Sequence, residues 1–175
     1  MGFAVPYDMA SEAGCDINFF PPYSAPFNPS SDVDGSWIIS ASTTLSGVRQ
    51  PYVAFCEGND EELGCWHSNG RAPQWLQWQN VEQRVCIKGY SVLSRSSGGC
   101  VATAWELHGS DDGSTWTTID SVSGESSANN NTITRAINNE TGFFYHRIYI
   151  TAHSGDYVTI GFLQAWFDES WRDLI

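Results

Sequence analysis

Lysine is almost missing from this chain. Lys88 is its one example, and eight basic residues in all face twenty Asp and Glu, a formal net charge of -12. Nucleic acid is a poor partner for such a surface, because its phosphates must be met by many Lys and Arg that displace condensed counterions. Anionic membranes are disfavoured on the same ground. Long apolar runs are absent as well: no stretch approaches the roughly 20 residues of a membrane-spanning helix, so no membrane insertion is expected. The first residues show neither the basic start nor the apolar stretch of a secretory signal, and export by that route is not expected. No Cys-x-x-Cys pair occurs, so zinc held by Cys65 and His67 is not expected. Neither a Gly-x-Ser-x-Gly elbow, nor a His-Glu-x-x-His pair, nor a glycine loop ending in Lys is present, and the expectation is a protein that is not an enzyme. Glycoside hydrolysis by two carboxylates depends on their separation in the fold and stays open.

Aromatic residues are plentiful, with 8 Trp, 7 Tyr and 9 Phe among 175 residues, beside abundant Ser, Thr, Asn and Gly. That balance is rich in strand formers and poor in helix formers. The length suits one domain and an arm. Residues 1–36 hold Phe19, Phe20, Pro21, Pro22, Tyr23, Pro26, Phe27 and Pro29 without helical or strand periodicity, and read as an extended aromatic and proline-rich arm. Exposed aromatics are costly in water, so the arm is expected to pack on a partner or on its own domain. Residues 37–168 read as one sandwich and 169–175 as a tail. Short β-like runs are predicted at 37–42, 52–56, 74–79, 84–94, 101–109, 115–122, 131–137, 143–152 and 157–167. The apolar parity shifts across Gly89 as a bulge would shift it, and both parities are apolar in 157–167, as for a strand buried on both faces. Between the runs from Trp105 and from Thr115 stands Asp111-Asp112-Gly113, read as hairpin turn chemistry and not as a metal or catalytic cluster.

Five cysteines, Cys15, Cys56, Cys65, Cys86 and Cys100, form an odd set, which leaves at least one unpaired within the chain. Cys56 with Cys65 and Cys86 with Cys100 are each near enough in sequence to bridge a loop. Buried free thiols are the open alternative in a reducing compartment. Two glycosylation triplets, Asn130-Asn131-Thr132 and Asn139-Glu140-Thr141, are of a kind that Ser- and Asn-rich chains produce by chance.

Several segments in order carry a family resemblance: Ala54-Phe55 before Gly58-Asn59, Cys65-Trp66-His67-Ser68, Pro73-Gln74-Trp75-Leu76, Ile87 to Val92, Trp105 to Trp116, Tyr145-His146-Arg147-Ile148, and a last strand from Ile160 to Phe167. With them, residues from about Trp37 to Phe167 resemble the discoidin or coagulation-factor type C domain family, an all-β jelly-roll sandwich of the galactose-binding-like superfamily. The version with Trp-His-Ser and Pro-Gln-Trp-Leu looks most like modules of phage virion and bacterial surface proteins. The resemblance implies a non-catalytic module that binds a glycan or another host-surface molecule through loops at one end. It would be displayed in many copies on a virion surface, with residues 1–36 held by other virion subunits; an extracellular or cell-surface setting is the alternative. A structural or decoration protein without a sugar site is the rival reading.

Sugar recognition needs a flat apolar face for the ring and planar multi-donor side chains for its hydroxyls. By the family's loop positions, His67, Asn69, Arg71, Arg95, Asn130 and Tyr157 are the candidates. Trp66, Trp75, Trp105 and Trp116 are expected in the core, Trp78 and Trp171 are less constrained, and Arg147 is expected to stack across the sheet between Tyr145 and Tyr149. The family often holds a structural calcium ion, but Cys56-Glu57 and Phe162 stand where two of its carboxylates belong. Glu57, Asn59 and Asp60 are the remaining oxygen donors, and with two carboxylates gone no cofactor is expected.

Overall fold

The computed structural model describes residues 33–34, 37–45, 49–55 and 65–166. Eleven strands are present among them: β1 (Val33–Asp34), β2 (Trp37–Ala41), β3 (Trp66–His67), β4 (Gln74–Asn80), β5 (Gly89–Leu93), β6 (Ala102–Ser110), β7 (Thr117–Val122), β8 (Thr132–Ala136), β9 (Tyr145–His153), β10 (Thr159–Ile160) and β11 (Phe162–Trp166). They build a six-stranded sheet in the order β1-β2-β4-β9-β6-β7, a three-stranded sheet β11-β5-β8 and the short pair β10-β3. All strand pairings are antiparallel.

Alternation along the strands sets the layers. In β4, Leu76 and Trp78 turn inward while Trp75, Gln77 and Gln79 turn outward; in β9, His146, Ile148 and Ile150 turn inward. Tyr90 and Val92 of β5 and Leu163 and Ala165 of β11 face them from the smaller sheet, completing one core with Trp66, Trp105 and Leu107. The strand expected at 52–56 is instead a buried 3-10 turn, Pro51–Phe55, whose opening proline lacks an N–H to donate to a ladder.

Four further expectations change. The parity shift at Gly89 is no bulge, because β5 starts there with continuous register to both neighbours, while Val85 makes an isolated bridge to Phe143. The double parity of 157–167 reflects two strands broken at Gly161: Thr159–Ile160 pairs with β3, and β11 alternates with only Leu163 and Ala165 buried. The core tryptophans among the described residues are Trp37, Trp66, Trp78 and Trp105; Trp75 and Trp116 are half-buried on the outer side of the large sheet. Cys86 and Cys100 are free thiols, so the bridge between them does not form. Cys86 Sγ lies against Asn139 O at 3.1 Å, whereas the Cys100 backbone is tied to Thr159 at the other end of the sandwich. Cys15 and Cys56 lie outside the described residues; Cys65 is buried and its Sγ accepts a hydrogen bond from Arg49 at 2.9 Å.

Candidate functional site

The short β3–β10 ribbon sets Thr159 opposite His67 and Ile160 opposite Trp66, so the loops that flank it emerge together. Ser68 fastens them: its N–H donates to Val158 O, its hydroxyl donates to Gly70 O at 2.7 Å, and the Val158 N–H donates to that hydroxyl at 2.9 Å. Gln74, buried at the start of β4, accepts from the hydroxyls of Ser42 and Thr43 and donates to Arg71 O at 3.0 Å, which holds the 68–73 turn. On the other side, Ser94 N–H donates to Asn131 O and Ser94 Oγ accepts from Asn131 N, while Asn130 N–H donates to Arg95 O at 2.9 Å. The loops around 69, 95, 130 and 157 therefore share one end of the sandwich.

His67 and Tyr157 meet there with ring centroids 5.0 Å apart. Nδ1 of His67 lies 2.9 Å from Ser68 O, and because a carbonyl only accepts, the proton sits on Nδ1 and leaves Nε2 as an acceptor. Burial pushes the His67 pKa down, the Ser68 hydrogen bond works against this, and the positive charges of Arg95 and Arg49 lower it further. The ring is neutral at pH 7. Tyr157 is exposed, as a stacking platform must be.

Arg95 is half-buried and its guanidinium lies flat on the loop, 3.2 Å from where a Cβ of Gly98 would stand. Gly98 has φ +80, a conformation that side chains rarely adopt. Arg95 Nε and Ser97 Oγ are both buried without a hydrogen-bond partner among the described residues. Orphan donors of this kind are costly unless a ligand or water meets them. Arg71 reaches across to Asp156, 2.6 Å away and exposed like itself. Asn69 is exposed, its N–H bound to Thr43 Oγ1 at 2.9 Å.

All six expected residues thus lie at one end, with His67, Arg95 and Tyr157 as the group in closest electrostatic and ring contact. Asp156 and Arg49 were missed. Asp156 stands beside Tyr157 in a Gly155-Asp156 turn, a signal the sequence carried; the charge of Arg49 on His67 depends on folding. Glu57, Asn59 and Asp60 lie outside the described residues. Among the described residues no group of three His, Cys, Asp or Glu side chains is placed to hold a metal ion. Phe162 pairs with Leu93, an apolar residue where the family's carboxylate would stand, so this position does not fit calcium.

The family model described as the F5/8 type C domain matches residues 30–161. The chain belongs to that family. The F5/8 type C fold extends to solved structures of low identity. A CBM32 module from Clostridium perfringens, in complex with GalNAc-β-1,3-galactose, is 17% identical with a TM-score of 0.65, over 75% of this chain and 95% of its own. The family 32 module of NanJ from the same organism, in complex with galactose, is 18% identical with a TM-score of 0.60, over 74% and 93%. Chitosan-binding module 2 of a Paenibacillus sp. chitosanase/glucanase, in complex with chitotriose, is 21% identical with a TM-score of 0.59, over 79% and 99%. No curated protein matches the chain.

Proposed function

We propose that this F5/8 type C domain is a non-catalytic glycan-binding module whose site is the loop end formed by His67, Arg95 and Tyr157, with Asn69, Arg71 and Asn130 at its rim. The observation that carries the reading is the convergence of an exposed Tyr ring, a neutral imidazole with a free acceptor nitrogen, and a guanidinium whose buried Nε lacks a partner among the described residues. A pyranose offers the complements: a C–H face for the ring and vicinal hydroxyls for the planar donors. Three solved structures of the same fold hold galactose, GalNAc-β-1,3-galactose and chitotriose, which supports the class of ligand.

A glycan array probed with the full chain, followed by calorimetry on the best hit, tests this. Tyr157→Ala and Arg95→Ala should each weaken binding about tenfold or more, the scale of a lost stacking face or charged donor. An array without hits, or hits indifferent to both substitutions, overturns the reading. Arg71→Ala separates binding from folding: its ion pair with Asp156 is exposed and worth under about 0.5 kcal/mol of stability, so affinity should move while the melting temperature stays.

Display on a virion or cell surface through residues 1–36 is the wider part of the proposal. Many copies raise effective affinity roughly a hundredfold without new contacts. Loss of incorporation into particles on deleting 1–36, with adsorption unaffected by Arg95→Ala, would favour a purely structural role. New reducing ends after incubation with host polysaccharide would show an enzyme instead.

A further inference from the structure

The outer face of the six-stranded sheet carries a group that neither the core nor the loop site uses. Register places Trp75 opposite Tyr149 and Tyr149 opposite Glu106; in the next row Gln77 faces Arg147 and Arg147 faces His108. Trp116, just ahead of β7, folds back over this row, its ring centroid 3.9 Å from the Arg147 guanidinium carbon, with Tyr149 at 4.9 Å.

Arg147 is held in place. Its Nε donates to His108 Nδ1 at 3.0 Å, which puts the imidazole proton on Nε2, and that nitrogen donates to Glu106 at 2.7 Å. His108, buried, stacks on Tyr149 at 5.4 Å and 19°. The terminal nitrogens of Arg147 have no hydrogen-bond acceptor among the described residues and are not enclosed. A guanidinium fixed by two rings and a His-Glu chain presents its donors at little entropic cost.

From this geometry we infer that the outer sheet face is a second saccharide-binding surface, separate from the loop site, which takes a neutral polysaccharide of linked pyranose units. Trp75, Tyr149 and Trp116 supply faces for the rings, and Arg147 with Gln77 and Gln79 supplies planar donors and acceptors for hydroxyls. Charge decides the class. Arg147 is offset locally by Glu106, and the chain as a whole carries -12, so an acidic polymer is repelled, and a basic one finds no acidic cluster around Arg147 among the described residues. A protein partner or a second copy would call for an apolar centre, whereas Gln77, Gln79, Thr118 and Ser121 surround the aromatic side chains here.

The test uses the full chain with the loop site disabled by Tyr157→Ala and Arg95→Ala, run on gels containing galactomannan, mixed-linkage β-glucan or polygalacturonate. Retardation by at least one neutral polymer and none by polygalacturonate is expected. Trp75→Thr with Tyr149→Thr should raise the apparent Kd at least about tenfold, and Arg147→Lys, which keeps the charge but loses the planar fork, should do so alone should the double variant not fold. No retardation by either neutral polymer, retardation by polygalacturonate, or binding that survives these substitutions overturns the inference. So does a dimer of the parent chain in sedimentation velocity that Tyr149→Thr dissolves. Small-sugar binding by the unaltered chain reads the loop site independently.

Discussion

Gly109 faces inward from β6 opposite His146, and the place of its missing Cβ is taken by the Phe143 ring, 2.2 Å from where that atom would stand. Phe143 in turn meets His146 edge-on, and His146 stacks on Trp78 at 5.9 Å. Gly109→Ala must displace an aromatic ring in a closed core, and is expected to cost about 1–3 kcal/mol in urea denaturation. His146 is fully buried, and neither ring nitrogen has a hydrogen-bond partner of normal geometry among the described residues. Burial pushes its pKa from 6.5 down to about 3, against a lesser opposing contribution from the Val85 backbone. The sign follows: above pH 6.5 both states hold the neutral ring and nothing is lost, while between 6.5 and 3 the unfolded chain binds the extra proton and native stability falls with pH. About 2 kcal/mol is lost by pH 5, from 1.36 kcal/mol per unit. Comparing urea midpoints at pH 8 and pH 5 for the parent and His146→Leu checks this; the parent should show the steeper acid loss, and equal slopes would remove His146 as its source.

At the scale of elements, Asp120 joins the sheets. It accepts two hydrogen bonds from Arg135 of β8, at 2.9 and 2.8 Å, and one from Tyr90 of β5 at 2.8 Å, whose hydroxyl accepts from Trp105 of β6. Burial works to raise the Asp120 pKa, but the bonds from Arg135 and Tyr90 prevail and it falls. A one-residue slip makes the arrangement: Leu107 pairs with Asp120 and His108 with Thr118, so Ile119 is the extra residue of a bulge and packs against the core beside the carboxylate. Asp120→Ala strands the Tyr90 donor and the guanidinium, and is expected to cost about 2 kcal/mol at pH 7 by thermal or urea unfolding, with less effect at low pH where the carboxylate is already protonated. Strand alternation made β4, β9 and the β6–β7 hairpin legible, as well as the Asp112 turn that caps Ser114 and Thr115 N–H. The bulge left one faint sign, the three-residue spacing of Ile119 and Val122, and with only two apolar residues in Thr117 to Val122 that break in parity reads equally well as one apolar residue facing outward. The 3-10 turn at 51–55 was hidden for a related reason: five apolar residues in a row suit a buried strand and a buried turn equally.

At the scale of the whole molecule, the scaffold was readable from ordered motifs, and the site was readable only as residue types in loops. Which loops meet depends on the β3–β10 ribbon, too short at two residues per strand to leave a pattern. The role of Trp75 and Trp116 was misplaced because tryptophan content speaks of burial and not of which sheet face is buried. With Phe162 in place of a carboxylate, chelation should leave the fold alone: EDTA is expected to leave the melting temperature unchanged, and a fall restored by calcium would contradict that. The interlock of the 94–101 and 123–131 loops through Ser94 and Asn131 has a practical side. Someone lengthening one of these loops to change the ligand would pull Ser94 off its partners in the other. Engineered or natural changes of specificity at this end should therefore arrive as matched edits in two distant stretches of the gene, and a library varying one loop alone would return mostly unfolded or inactive clones.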